Sequence, residues 1–175
     1  MNPILNKNLF FVKEHRGFFK AANNYDVIDP LTQQTIMQCR EPDLGFFTKI
    51  FRFSEYKTMT PFNIIITDAT GTPILRVTRG FTLFRSVVEV FDEKEVLIGR
   101  FRQRMLSIGG KFEVQDTMGQ TLCMLKGKWS SWEFNFTQGN FALAKVSKKW
   151  AGLGRELFTS TDNYMLEITE TVPPN

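Results

Sequence analysis

The chain has 175 residues, a length that suits one domain with a real core, and 42% of the residues are apolar, with 18 Phe in the whole chain. No run reaches the ~18 consecutive apolar residues of a membrane-spanning helix, and the start, MNPILNKNLFFVKEHR, has no signal-peptide pattern. Cys39 and Cys123 are too few for a disulfide framework or a zinc site and fit a cytosolic protein, while a net charge of +4 permits binding to anionic lipid without requiring it.

A repeated pattern runs along the chain. Alternating apolar residues lead to an aspartate at positions 68, 92 and 116, a constant spacing of 24, and a turn and a second apolar strand follow each one. Asp suits such turns because its side chain bonds its own backbone, and Gly accepts a positive φ. Divergent copies cover 25–39 and 133–146. The pattern predicts five β-hairpins in which each aspartate caps its own turn rather than binding metal.

The fold class follows from this pattern. Most of the chain alternates with period two, few windows have helical character, and no linker or second composition appears. A meander of this many strands must close or stack to hide its edges. We therefore predict a mainly β protein, one domain over 1–175, built as a β-barrel or a strongly curved sheet. Alternation does not by itself show that the sheet closes.

The segment 144–168, AKVSKKWAGLGRELFTSTDNYMLEI, places two apolar strands around a basic corner with two glycines. Its order A-K-V-S-K-K-W-x-G-x-x-R-E-x-F-T-x-x-D-N-Y resembles the C-terminal signature of the phospholipid scramblase family. Shorter stretches at 17–28, 61–71, 98–100 and 111–114 are similar to earlier strands of that family, and the pattern is also similar to the plant LURP-one proteins and the tubby C-terminal domain. The resemblance implies a closed barrel of about twelve strands around an apolar C-terminal helix.

Two departures from the family pattern stand out. The sequence ends VPPN at Asn175, where the resemblance implies the central helix, so the barrel is expected to lack its final core helix. A barrel of this width needs a filling, which residues beyond Asn175, Phe and Met side chains, or a lipid or detergent would supply. The resemblance also implies a calcium segment starting at Ser160. Calcium needs several oxygen ligands, and Asp162 is the one carboxylate among the ligand positions, so we expect no calcium cofactor.

Basic residues form the candidate binding site. Arg100, Arg102 and Arg104 alternate along one strand and face away from Phe101. Two interpretations stay open: a stripe that docks on lipid phosphates, at about 1 kcal/mol per cation, or a solvated outer face. Further cations lie beside three tryptophans, which suits a water–lipid boundary and suits core packing equally. They are Lys126, Lys128, Lys145, Lys148, Lys149 and Arg155, beside Trp129, Trp132 and Trp150.

The sequence shows no catalytic pattern, since it has no Ser-His-Asp order, nucleophile elbow, P-loop or Cys-His metal spacing, and we predict that it is not an enzyme. The resemblance implies a scramblase-family protein that binds and moves membrane phospholipids. The alternatives are a soluble tubby-like module that binds anionic head groups or a protein partner without transport, and a barrel that carries an apolar ligand. We expect a phospholipid or membrane surface as partner, no nucleic acid, and a cytoplasmic location or a peripheral one on the inner membrane face.

Overall fold

Alternating apolar residues and tight turns fold the chain into antiparallel strands. The computed structural model describes residues 2–14, 24–42, 60–81, 85–104, 111–128, 133–148 and 163–169. A 3-10 helix at Pro3–Asn6 is the one helical element of these residues. The strands are β1 (Leu9–Glu14), β2 (Tyr25–Ile28), β3 (Thr35–Arg40), β4 (Phe62–Asp68), β5 (Pro73–Arg79), β6 (Val87–Asp92), β7 (Leu97–Gln103), β8 (Phe112–Gln115), β9 (Thr121–Lys128), β10 (Glu133–Gln138), β11 (Phe141–Ser147) and β12 (Asn163–Ile168).

The sheet closes on itself. Each strand pairs with its neighbours in the chain, and β1 pairs with β12 from Leu9↔Glu167 to Lys13↔Asn163, so the twelve strands form one closed barrel. The predictions of a mainly β fold and of a closed barrel of about twelve strands are confirmed. The central C-terminal helix is not tested, because residues 170–175 lie outside the described part of the chain.

The five predicted hairpins are confirmed, and their turns gather at one end of the barrel, here called the tight-turn end. Each hairpin carries a β-bulge next to its turn, which bends the strands and helps a sheet to curl. Each turn also contains one residue in the left-handed region. These residues are Gln33, Gly71, Glu95, Gly119 and Gly139.

The repeat aspartates cap their own turns, as predicted. Asp68 Oδ1 accepts hydrogen bonds from the backbone of Thr70 (2.8 Å) and Thr72 (2.9 Å), and Asp92 Oδ1 accepts the equivalent pair from Lys94 and Val96. Asp116 Oδ1 accepts one from Gln120 at 2.8 Å. The side-chain hydrogen bond from Thr70, followed by the backbone bonds, holds the pKa of Asp68 below its ordinary value. These carboxylates therefore stabilise the turns that follow them.

The apolar face of the sheet is the inside of the barrel. Residues opposite each other on paired strands share a face, and this register puts Val88, Phe101 and Val114 on the same side. The rings of Phe101 and Phe136 lie 6.4 Å apart although β7 and β10 are three strands apart. Strands are separated by about 4.8 Å, so rings this close must converge across a concave surface. The other face, which carries most of the charges, is therefore the outer wall.

One side of the tight-turn end is packed. Phe10, Val27, Met37 and Ile74 form a buried cluster, and the 3-10 helix lays Ile4 and Leu5 against it. Asn2 begins that helix by accepting a hydrogen bond from Ile4 N at 3.1 Å. Elsewhere most inward side chains on the strands are half-buried. That pattern agrees with the rule that a barrel wider than eight strands is not filled by its own wall.

Candidate functional site

The candidate site is the outer wall of β7 to β11, where the predicted basic residues lie. Inward packing fixes their orientation. On β7, Phe101 points into the barrel, so its neighbours Arg100 and Arg102 point out. On β9, Leu125 is opposite Phe136 on the inner face, so Lys126 points out. The sequence prediction that the arginines face away from Phe101 matches this geometry.

Two of the three arginines are held by carboxylates of neighbouring strands. Arg100 Nε lies 3.1 Å from Glu89 Oε1, and Arg104 Nε lies 3.5 Å from Glu113 Oε1. Arg104 follows the last residue of β7 and continues the ladder, because its N–H donates to Lys111 O at 2.9 Å. Arg102 is exposed, and no carboxylate of the described residues forms an ion pair with it. The arginine stripe therefore offers one cation to a ligand, not three.

Lys126 and Lys145 lie in one row across the wall. The register pairs Lys126 with Asn135 and Asn135 with Lys145, and the row continues to Glu167 on β12. Two strand spacings put the Cα atoms of the lysines about 10 Å apart. Both side chains are exposed, and neither makes an ion pair within the described part of the chain. This separation would let the two lysines bind two separate lipid phosphates, or bind one phosphorylated head group together.

Lys111 extends this row and was missed by the sequence analysis. Phe112 pairs with Leu125. Antiparallel pairing continued by one residue places Lys111 opposite Lys126. The side chain of Lys111 is exposed. The available signal was its position next to a strand of the repeat, but only the pairing of β8 with β9 shows which lysine it neighbours.

The other predicted basic residues do not all join this surface. Lys148 lies with its Nζ 5.4 Å from the centroid of the Tyr164 ring, an attractive cation–π geometry. Lys128 is the last residue of β9 and pairs in register with Glu133. The remaining predicted residues lie outside the described residues: Lys149, Arg155, the three tryptophans, and the calcium-segment positions Ser160 and Asp162.

The outer wall is buried at the C-terminal end of β11 and at the positions next to it on β12 and β1. Ser147 on β11 and Met165 on β12 are opposite each other and buried, and so is Phe11 on β1, which pairs with Met165 on the same face. Buried outer residues at these positions bound the exposed surface. We define the basic wall as Arg102, Lys111, Lys126 and Lys145. Within the described ranges, no three His, Cys, Asp or Glu residues come close enough to hold a metal ion.

The chain matches known proteins over almost its whole length. The sequence pattern that defines the Scramblase family fits residues 12–175. The chain belongs to the Scramblase family. A phospholipid scramblase family protein of Schizosaccharomyces pombe is 22% identical over 188 residues, which cover 99% of this chain and 49% of that protein. The altered inheritance rate of mitochondria protein 25 of Saccharomyces cerevisiae is 24% identical over 94% of this chain and 57% of its own length.

This scramblase-family chain spans about half the length of the curated relatives it matches. No solved structure is significantly similar to it. Family membership supports a lipid-related function. In the part of the chain that the structure describes, no helix has both the length and the apolar character to cross a bilayer.

Proposed function

We propose that this scramblase-family chain binds anionic phospholipid head groups at a membrane surface through its basic wall. The observation that carries the proposal is that some cations of the outer wall form ion pairs and others do not. Arg100 and Arg104 form ion pairs with carboxylates. Arg102, Lys126 and Lys145 are exposed cations without an ion pair to any described residue, although Glu113 lies opposite Arg102 and Glu167 opposite Lys145 in register. Cations left in this state are available to phosphates.

The magnitude suits a reversible surface interaction. A Lys or Arg near an anionic leaflet contributes about 1 kcal/mol, so Arg102, Lys126 and Lys145 together supply about 3 kcal/mol, roughly a 150-fold preference for an anionic over a neutral surface. The force acts within a Debye length of about 8 Å at physiological salt, so the wall must lie close to the head groups. The anionic cytoplasmic leaflet is the surface that we propose.

A pair of charge-matched variants tests the proposal. Lys126→Gln combined with Lys145→Gln removes two positive charges from the wall. Lys13→Glu, at an exposed position on the outer face of β1, lowers the net charge by the same two units elsewhere. Each variant changes the formal charge from +4 to +2. Co-sedimentation with phosphatidylserine-containing vesicles measures the partition coefficient.

We expect the double lysine variant to bind about 30-fold more weakly, from about 2 kcal/mol of lost attraction. Lys13→Glu is expected to lose much less, because it lies outside the basic wall. Equal losses in both variants would mean that only the net charge matters, and unchanged binding in the double variant would remove the basic wall from the function.

The proposal is a binding function without a catalytic step. Movement of phospholipids between leaflets remains a prediction from the family resemblance, and a flip assay on labelled vesicles tests it separately. The peripheral location on an inner membrane face is part of the same proposal.

A further inference from the structure

Large apolar side chains are exposed on three neighbouring turns of the barrel. Met118 is 84% exposed in the β8–β9 turn, and Phe141 is 76% exposed where β11 leaves the β10–β11 turn. Val96 in the β6–β7 connection, Ile98 at the start of β7 and Leu122 at the start of β9 are also exposed. Because the strands follow one another around the barrel, these turns are consecutive along the tight-turn end. The five residues are called the apolar arc below.

Single exposed apolar residues are ordinary, but a contiguous group is typical of an interaction surface. The residues favoured at turns are small or polar, and the β4–β5 turn of the same repeat follows that rule with Ala69, Thr70, Gly71 and Thr72. The apolar arc departs from this rule at Val96 and Met118 in two successive turns, and Phe141 adds an exposed apolar residue where β11 begins. Across about two hairpin spacings the arc is about 20 Å wide.

The apolar arc lies closer to the tight-turn end than the basic wall does, and three strands carry residues of both. Ile98 precedes Arg102 on β7 by four residues, Leu122 precedes Lys126 on β9 by four, and Phe141 precedes Lys145 on β11 by four. Four residues span about 13 Å along a strand, or about 10 Å along the axis of a barrel whose strands tilt by about 40°. Three strands thus repeat the order of an apolar residue at the tip and a cation above it.

We propose that the apolar arc inserts into the membrane interface while the basic wall contacts the head groups above it. This inference rests on the proposed function and adds the orientation and the apolar anchor. The depths agree, since the head-group layer is about 5–8 Å thick on each side of the hydrocarbon core and interfacial apolar groups lie about 5–10 Å deep. Cations about 10 Å above the tips then lie at the level of the phosphates, within reach of long lysine side chains.

A site-specific fluorophore tests the insertion directly. Met118→Cys carries an environment-sensitive label at the arc, and Leu31→Cys carries it in the β2–β3 turn, where the native side chain is 85% exposed but outside the arc. The native thiols compete poorly for the label at neutral pH, because burial raises the pKa of Cys39 to about 11 and also raises the pKa of Cys123. We expect a blue shift on phosphatidylserine vesicles for the label at 118, and none at 31.

Paired substitutions separate this inference from the proposed function. Met118→Ser with Phe141→Ser is expected to weaken vesicle partitioning at least about tenfold, and Leu31→Ser is expected to leave it unchanged; thermal unfolding checks that each variant folds. Suppose that the lysine variant loses binding, that the arc variant partitions onto vesicles as the unsubstituted chain does, and that the label at 118 keeps its emission wavelength in water. In that case the inference is wrong and the proposed function stands.

Three other outcomes also overturn the inference. If the unsubstituted chain does not bind anionic vesicles, the proposed function and the inference fail together. If the serine variant instead changes a self-associating chain to a monomer and leaves vesicle binding intact, the arc is a protein-docking surface. Equal blue shifts at 118 and 31 would contradict the assignment to the arc.

Discussion

Gly127 is expected to be required for the packing that orients the lysines of β9. It lies between Lys126 and Lys128 and pairs in register with Phe134 on β10, whose ring is buried on the inner face. A Cβ atom at Gly127 would lie 2.3 Å from Phe134 Cδ1 and 2.3 Å from Glu133 O. Substitution by alanine therefore forces either the ring or the neighbouring backbone to move.

The size of the effect follows from these distances. Ordinary van der Waals contact begins near 3.4 Å, so the contacts must open by about 1 Å, and Glu133 O belongs to a strand that cannot shift alone. Overpacking of this kind costs about 1–3 kcal/mol, which exceeds the ~0.4–1 kcal/mol that Gly→Ala gains from a less flexible unfolded chain. The net loss is therefore up to about 2.6 kcal/mol, and for a domain of this length we expect the melting temperature to fall by up to about 10 °C.

Gly80→Ala is the matched control, because a Cβ there meets no atom within 4 Å. Thermal unfolding followed by circular dichroism measures both variants against the unsubstituted chain. We expect Gly127→Ala to melt lower and Gly80→Ala to melt at the same temperature or slightly higher. A Gly127→Ala protein as stable as the Gly80→Ala protein would refute the reasoning about the β9–β10 contact.

Two further predictions concern charged residues. Asp29 is buried and accepts hydrogen bonds from Lys7 Nζ (2.8 Å) and Leu31 N (2.9 Å); the bond from Lys7, then those from the turn backbone, lower the pKa of Asp29 below its ordinary 3.8. A lowered carboxyl pKa stabilises the fold above the ordinary value and loses this effect as the pH falls through the folded-state value. The stability advantage of the native chain over Asp29→Asn should therefore be full at neutral pH and shrink below about pH 4 in urea titrations; an advantage independent of pH would contradict this assignment. Arg100→Gln is expected to leave vesicle binding within about twofold, because Glu89 already holds the guanidinium and an exposed pair contributes under about 1 kcal/mol; a loss as large as that of the lysine pair would contradict the division into paired and available cations.

Local chemistry allowed the hairpins to be predicted. Asp68, Asp92 and Asp116 mark turns because a carboxylate can accept hydrogen bonds from the backbone that follows it, and alternation marks the strands on either side. The closure of the barrel was not available from such signals. It depends on β1 and β12, which pair Leu9 with Glu167 across nearly the whole chain, and the repeat pattern of the sequence did not include β1.

The candidate site was predictable in part for the same reason. Strand parity placed Arg100, Arg102 and Arg104 on one side, but it does not show which of them is paired. Glu89 lies opposite its partner Arg100, whereas Glu113 lies opposite Arg102 and forms its ion pair with Arg104 on the diagonal. Register also joins Lys126 to Lys145 through Asn135. The apolar arc was missed because Ile98, Leu122 and Phe141 fit the apolar pattern of the strands, and only their exposure distinguishes them.

The most direct test of a lipid-binding basic wall is the partitioning of the unsubstituted chain onto vesicles of increasing phosphatidylserine content at physiological salt. Three available cations at about 1 kcal/mol each predict affinity that rises by about two orders of magnitude from pure phosphatidylcholine to phosphatidylserine-rich vesicles, and that falls again when salt shortens the Debye length. Binding that is equal on neutral and anionic vesicles, or insensitive to salt, would contradict the account.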